Sequence, residues 1–202
     1  MPKTLNLSVR RGSTFTLALR WEGESWQYAA ITGISQTAPA QITSTEHAIP
    51  DGWRVAVIDA KGLTQLNALN NPPKDKDMRR ASVVSGTVIE FNDTSAAGFA
   101  KHTPSTGYLA WLTPQSLAGY AARMQIKDHA GGAVLISLTS DIDGGIALDD
   151  VAKLIGVTIT ATQTEAIGWT AGVYDLEVVS PNGTVEALLE GTVSVLAEIT
   201  TP

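Results

Sequence analysis

The stretch that decides the fold class is VYDLEVVSPNGTVEALLEGTVSVLAEI, residues Val173–Ile199. Apolar residues recur at every second position through Val193–Ile199, which is the period of a half-buried β-strand, and Val173–Val179 is a second strand. Asn182-Gly183 lies between Val173–Val179 and a further strand, Val185–Leu189, and predicts a type I′ turn, because both residues tolerate the positive φ that its two central positions need. The stretch is therefore predicted to form an antiparallel hairpin.

Further strand patterns precede this hairpin at short intervals, separated by turn residues. The clearest are Leu5–Val9, Phe15–Trp21, Arg54–Ile58, Ala81–Phe91, Tyr120–Ile126, Ala133–Leu138 and Val157–Ile159. Helical signals are short: one turn at Ser95–Ala100, and one at Thr162–Ile167 with Thr162 and Glu165 as a capping box. Many short strands with few helices predict an all-β fold, as a sandwich or a small barrel.

Composition excludes several classes of protein. The 202 residues carry 14 basic and 20 acidic side chains, for a net charge of −6, and 44% are hydrophobic, which is typical of a folded chain. The chain has no cysteine, so disulfides, thiolate metal sites and cysteine catalysis are excluded. Residues 102–202 hold 3 basic and 11 acidic residues, which disfavours nucleic acid as a partner. Neither a signal-peptide pattern after Met1 nor an apolar run long enough to span a bilayer is present, so no membrane partner is expected.

No motif indicates catalysis. The histidines His47, His102 and His129 are far apart in sequence, and neither a serine-hydrolase elbow nor a phosphate-binding loop occurs. The prediction is therefore a non-enzymatic protein with no catalytic, cofactor-binding or metal-ligating residues and no cofactor. One stretch keeps an alternative open, because Asp141 and Asp143, followed by Asp149-Asp150, could bind a cation or could cap the backbone of a hairpin turn.

Two groups of residues also allow two interpretations. The basic cluster is either a solvated loop or an electrostatic docking patch, and comprises Lys74, Lys76, Arg79 and Arg80. The tryptophans either pack at the core or form exposed stacking platforms, and comprise Trp21, Trp26, Trp53, Trp111 and Trp169.

The middle of the chain resembles a small β domain that recurs in virion proteins of tailed bacteriophages. The segment ITGISQTAPAQITSTEHAIPDGWRVAVIDAKGLTQLN (Ile31–Asn67) carries its first half, and TVIEFNDTSAAGFAKHTPSTG (Thr87–Gly107) its last strand and closing turn. This domain is often likened to the first catalytic cysteine half-domain of ubiquitin-activating enzyme. The chain departs from the pattern at Ala48 and Leu63, and without a cysteine the likeness implies no activity here.

The flanking segments resemble immunoglobulin-like β-sandwiches of phage baseplate and tail proteins. The resemblance begins with LSVRRGSTFTLALRWEGE (Leu7–Glu24) and resumes with LAGYAARMQIKD (Leu117–Asp128). It continues through Thr160–Ala166, then GVYDLE (Gly172–Glu177), and ends with LLEGTVSVLAEIT (Leu188–Thr200). The resemblance implies a sandwich interrupted by the small β domain.

The two resemblances predict nested domains. The sandwich would comprise residues 1–29 and 108–202, and the inserted barrel-like domain residues 30–107, with Lys101–Gly107 as the crossing between them. Because a two-stranded unit alone is marginal in water, the N-terminal strands should pair with strands from the C-terminal half. An insertion at a sandwich loop costs little closure entropy, about 0.6 kcal/mol per doubling of loop length.

The resemblance implies a structural protein of a bacteriophage virion, in the tail, baseplate or fibre-attachment region. We expect its partners to be other virion proteins and further copies of the chain, and its location to be the virion after synthesis in the bacterial host cytoplasm. One alternative is a carbohydrate- or receptor-binding module of the adsorption apparatus, with a host-surface glycan as its partner. Another is a head decoration or head-to-tail connector protein.

Overall fold

The computed structural model describes residues 2–199 of the chain. The predicted all-β class is confirmed, because strands dominate and α1 (Ala161–Glu165) is the one α-helix among these residues. In chain order the strands are β1 (Lys3–Thr4), β2 (Leu7–Arg10), β3 (Phe15–Leu19), β4 (Glu22–Ile34), β5 (Ala40–Ser44), β6 (Arg54–Ile58), β7 (Arg79–Arg80), β8 (Ser82–Ser85), β9 (Val88–Phe91), β10 (Tyr108–Pro114), β11 (Ala121–Lys127), β12 (Val134–Thr139), β13 (Ile146–Asp149), β14 (Leu154–Ile159), β15 (Ala171–Val179) and β16 (Val185–Leu196).

The chain divides into two compact units. The barrel unit is Glu22–Gln115, and the sandwich unit contains residues 2–21 and 116–199. The predicted ranges placed the junctions at residues 29/30 and 107/108, whereas the compact units divide at 21/22 and 115/116. The difference arises because β4 and β10 form one antiparallel ladder that continues to the pair Glu22 and Pro114. The loop 101–107, predicted as the crossing between domains, consequently lies inside the barrel unit.

The sandwich unit consists of two sheets around one core. The larger sheet has the order β1–β16–β15–β11–β12, with β2 also on β16, and the smaller has the order β13–β14–β3. Alternate residues of each strand face the core: on β14, for example, Ile155, Val157 and Ile159 are buried and the residues between them are not. This division of strands between two sheets is that of an immunoglobulin-type sandwich with two differences: β12 is added to the larger sheet, and the first strands, β1 and β2, join the larger sheet as well.

The N-terminal strands pair with C-terminal strands, as predicted. Both β1 and β2 run parallel to β16, whereas β3 is antiparallel to β14. Between β1 and β2 the backbone is fixed at Leu5, whose carbonyl accepts a 2.7 Å hydrogen bond from the Tyr174 hydroxyl. The chain also passes close to Gly191, where a Cβ would lie 2.2 Å from the Leu5 oxygen. β1 and β2 are therefore part of the larger sheet, and β3 is part of the smaller sheet.

The barrel unit is one sheet that almost closes on itself. Its order is β7–β6–β10–β4–β5–β9–β8, so the two outermost strands are β7 and β8. Only Ala81 separates these strands in sequence, and its N–H donates to the Trp53 carbonyl at 2.9 Å. Residues 79–85 thus join the two ends of the sheet around a core that contains the fully buried Trp53 and Phe91.

Three local predictions are wrong. The hairpin between β15 and β16 has no type I′ turn, because only Gly183 of the Asn-Gly pair has positive φ and the connection is the longer loop 180–184. The capping box of α1 lies two residues earlier than predicted, because the Thr160 hydroxyl already accepts the Gln163 N–H. Residues 95–100 form a turn and contain no helix.

Candidate functional site

The acidic stretch after β12 uses its carboxylates to hold turns. Asp141 accepts a hydrogen bond from the Thr139 hydroxyl at 3.0 Å, and Asp143 has a φ of 60° at the tip of the turn. Asp149 accepts the N–H groups of the two residues in the next turn, 151 and 152, at 2.9 and 2.8 Å. Within residues 2–199 no group of three or more histidine, aspartate or glutamate side chains could hold a metal ion.

Asp150 has a different role, because it ties two distant parts of the sandwich unit together. Its carboxylate accepts the Lys153 ammonium at 2.7 Å and the Leu117 N–H at 2.6 Å. The Lys153 hydrogen bond is the main reason that the pKa of Asp150 falls to about 2, and the Leu117 N–H adds to it. This contact fixes the chain as it enters the sandwich unit ahead of β11.

The three histidines occupy separate places. His102 is buried, and its Nε2 lies 3.0 Å from the Thr106 carbonyl oxygen across the closing loop of the barrel unit. His47 accepts the Ile49 N–H at 3.4 Å, and partial burial lowers the pKa of its imidazole. His129 is largely exposed and lies 3.0 Å from the Asp128 carboxylate. His47 and His102 therefore hold local loops, whereas the His129 ring contacts only the preceding residue.

Two residues of the basic cluster, Arg79 and Arg80, lie on the segment that closes the barrel and line a groove, whereas Lys74 and Lys76 lie in the loop before β7. The groove has a volume of about 530 Å³, and both basic and acidic side chains line it, including Arg79, Arg80, Asp51 and Asp93. Arg79 donates weakly to the Thr94 hydroxyl at 3.4 Å, and Arg80 donates to the Gly52 carbonyl at 3.1 Å. The groove is therefore lined by charges of both signs.

The acidic residues interleaved with that cluster are used structurally. Asp77 accepts the Lys74 N–H at 2.9 Å, which is the main reason that its pKa is lowered. Asp75 lies 3.2 Å from Arg54, whose Nε also donates to Glu22 at 2.8 Å. The Glu22 carboxylate is the main reason that the pKa of the Arg54 guanidinium is raised above its usual value. The loop before β7 is thereby anchored to β6 and β4.

Four of the five tryptophans pack in or against a core, whereas Trp26 lies on the same face of β4 as Tyr28, and tyrosines take the most exposed aromatic positions. Trp53 and Trp111 are buried in the barrel core, and the other three tryptophans are half-buried. The two most exposed aromatic residues of the barrel unit are Tyr28 and Tyr108, at 52% and 46%. Tyr28 pairs with Ala110 and Tyr108 with Ala30, so the tyrosines are diagonal neighbours on the outer face of the β4–β10 ladder.

Sequence reasoning singled out the tryptophans and overlooked these tyrosines. The signal was present, because Ala29 and Ile31 belong to the barrel core and the alternation on β4 therefore directs Tyr28 outward. The outer face around the tyrosines carries uncharged side chains, including Ala30, Thr32 and Thr43. The immediate neighbours of the tyrosines are thus uncharged, whereas Glu22 and Glu24 lie on the same face at the beginning of β4.

Comparisons with known proteins give no family assignment. No protein-family model matches the chain, and no curated protein matches it. Across residues 2–199 no helix is both long and apolar enough to cross a membrane.

Proposed function

We propose that this chain is a non-enzymatic structural protein of a tailed-bacteriophage virion, and that it assembles in the tail, baseplate or fibre-attachment region through contacts of its sandwich unit. The observation that carries the proposal is the nested architecture: a barrel unit continuous in sequence interrupts an immunoglobulin-type sandwich between β3 and β11. The motifs that resemble phage baseplate and tail proteins flank that barrel on both sides, and the motifs of the small virion domain lie within it.

The proposal is tested by locating the chain in purified particles. Mass spectrometry of nuclease-treated, density-purified virions should detect the chain at a fixed ratio to the major tail protein. Immunogold labelling with an antibody to the barrel unit should then mark the tail or baseplate. Detection only in the unassembled lysate fraction would contradict the proposal, and labelling of the head or neck would favour a decoration or connector protein instead.

A second candidate function is glycan binding, because Tyr28 and Tyr108 form an exposed pair whose immediate neighbours on the ladder are uncharged. Aromatic rings with uncharged hydroxyl neighbours suit the neutral, polyhydroxylated surface of a sugar. In this case the double variant Tyr28→Ser/Tyr108→Ser should abolish binding to a host-surface polysaccharide. The control is Tyr120→Phe, which changes a tyrosine of the sandwich unit. Equal binding by both variants would rule out this face.

A further inference from the structure

The edge of the smaller sandwich sheet at β3 is open. Within residues 2–199, β3 pairs with β14 on one side and with no strand on the other. An immunoglobulin-type sandwich of the constant class places its first strand at that edge. Here β1 and β2 pair with β16 in the other sheet, so the position beside β3 is left vacant.

The hydrogen-bond alternation shows which backbone groups face the vacancy. The Thr158 N–H donates to the Gly145 carbonyl at 2.8 Å, so Thr158 points its backbone toward β13. Backbone groups alternate along an antiparallel strand, so Val157 points toward β3 and bonds its partner Leu17. The N–H and C=O groups of Thr16 and Ala18 consequently point away from β14 into the open edge.

The side chains of β3 also indicate a missing neighbour. On β14 the core-facing residues are fully buried, whereas Phe15, Leu17 and Leu19 on the same face of the sheet remain partly exposed. Thr16 and Ala18 on the opposite face are exposed. An additional strand would cover these apolar side chains and would also form hydrogen bonds with the open N–H and C=O groups of β3.

The other edges of the sandwich unit are protected in ways that β3 is not. The β12 ladder has a register shift beside Ile126, and the Thr139 N–H is already bonded to the Gly144 carbonyl at 2.8 Å. β2 ends in an exposed arginine, and the four-residue β13 ends in Asp149. Charges, bulges and short strands are the usual means of blocking edge-to-edge pairing. The sequence of β3, FTLAL, has no charge and no proline, and its ladder with β14 has no register shift.

We propose that β3 is an assembly edge whose occupant is β3 of a second copy of this chain, paired antiparallel about a two-fold axis at Leu17. An unpaired ladder can accept another backbone at the same period, and FTLAL can pair with its own copy without opposing charges. In this register Thr16 of each copy faces Ala18 of the other, which forms hydrogen-bonded pairs on both sides of the axis. Phe15 faces Leu19 on the core side, and no like charges within β3 are opposed.

The resulting interface is isologous and extends two three-stranded sheets into one of six strands. This inference rests on the proposed assembly function for its biological setting, and it names the contact through which copies of the chain join. The site itself depends only on the open ladder, so it can be tested on the purified chain.

The decisive test is a pair of matched charge variants at the two exposed positions. Thr16→Lys/Ala18→Lys places lysine opposite lysine twice, so we expect the dimer dissociation constant from sedimentation equilibrium to rise about tenfold or more. Thr16→Glu/Ala18→Lys places glutamate opposite lysine, and should leave the dissociation constant unchanged or lower it. Circular dichroism melting confirms that both variants remain folded. An equal response of the two variants would overturn the proposed register.

Amide hydrogen exchange separates this site from the wider function. We expect the amides of Thr16 and Ala18 to be protected at high protein concentration and to exchange freely on dilution, whereas Leu17 is protected in both. A wild-type oligomer whose Thr16 and Ala18 amides exchange freely would overturn the site and leave virion assembly standing. A chain that stays monomeric to millimolar concentration would also overturn it. Failure to find the chain in virions would overturn the assembly function. Protection of the Thr16 and Ala18 amides from exchange would in that case still support pairing at β3.

Discussion

Replacing Tyr174 with phenylalanine tests whether the N-terminal strands belong to the sandwich fold. The Tyr174 side chain is 4% exposed, and its hydroxyl donates to the Leu5 carbonyl at 2.7 Å. A buried acceptor that loses its donor costs about 1–3 kcal/mol. Leu5 is 37% exposed, so water can reach part of this segment, and we expect a loss near the lower end, about 1–2 kcal/mol.

The same variant should change the alkaline stability profile. Burial raises the pKa of Tyr174 to about 12, whereas an unfolded tyrosine titrates near 10. The unfolded state therefore releases this proton first as the pH rises. The stability that the neutral phenol provides is fully present below about pH 10 and is lost progressively toward pH 12, by up to about 3 kcal/mol. Tyr174→Phe should remove this part of the pH dependence.

Urea unfolding of the full chain, together with amide exchange of β2 and β16, measures both effects. The matched control is Tyr120→Phe, because Tyr120 lies in the same unit and its ring packs edge-to-face on Trp21 at 5.6 Å without relying on the hydroxyl. We expect the control to stay within about 0.5 kcal/mol of the wild type. Equal losses for the two variants, or unchanged exchange in β2 for Tyr174→Phe, would refute the structural role of the Leu5 contact.

Three further predictions address the units and their junctions. Replacing Glu22–Gln115 with a short Gly/Ser linker should leave a sandwich that melts cooperatively, because its core cluster contains no residue from the excised range; a molten product would contradict this. Asp150→Asn should lower the melting temperature of the sandwich unit above about pH 4. The lowered pKa of Asp150 provides stability that disappears as the pH falls toward 2, so the variant should also lose part of the fall in melting temperature at acid pH. The measurement is melting temperature against pH for both proteins. Gly191→Ala should cost about 1–3 kcal/mol by pushing a Cβ onto the Leu5 carbonyl, whereas Gly156→Ala, with 3.9 Å of clearance, should be nearly neutral in urea unfolding.

The alternation of apolar and polar residues predicted most of the strands, because a half-buried strand places every second side chain in the core. The core-facing residues of β14 and β15 are a direct example. Strand lengths were harder to predict from the sequence. β16 is one strand of 12 residues, whereas the sequence suggested two strands because Gly191 interrupts the apolar pattern. Gly191 remains in the strand since it makes room for the Leu5 carbonyl, a contact set by a segment far away in sequence.

The candidate sites were harder to predict because they depend on contacts between distant segments. The carboxylate of Asp150 is one of several acids in its stretch, and only the approach of Leu117, 33 residues earlier, distinguishes it. The junctions of the barrel unit depend on how far β4 and β10 remain paired, which no local pattern encodes. In contrast, the outward position of Tyr28 follows from the alternation on β4 alone.

The open edge at β3 and the anchoring of the N-terminal strands both follow from the pairing of β1 and β2 with β16. A chain that placed its first strand beside β3 would cover that edge and leave β16 exposed instead. Tyr174 and the close approach at Gly191 fix the first strands on β16, so the vacancy beside β3 is maintained by contacts in the opposite sheet. An uncharged open edge can accept another strand, and N-terminal strands released from β16 would compete for the position beside β3. Weakening the Leu5 contact should therefore affect assembly as well as stability, through the same strands.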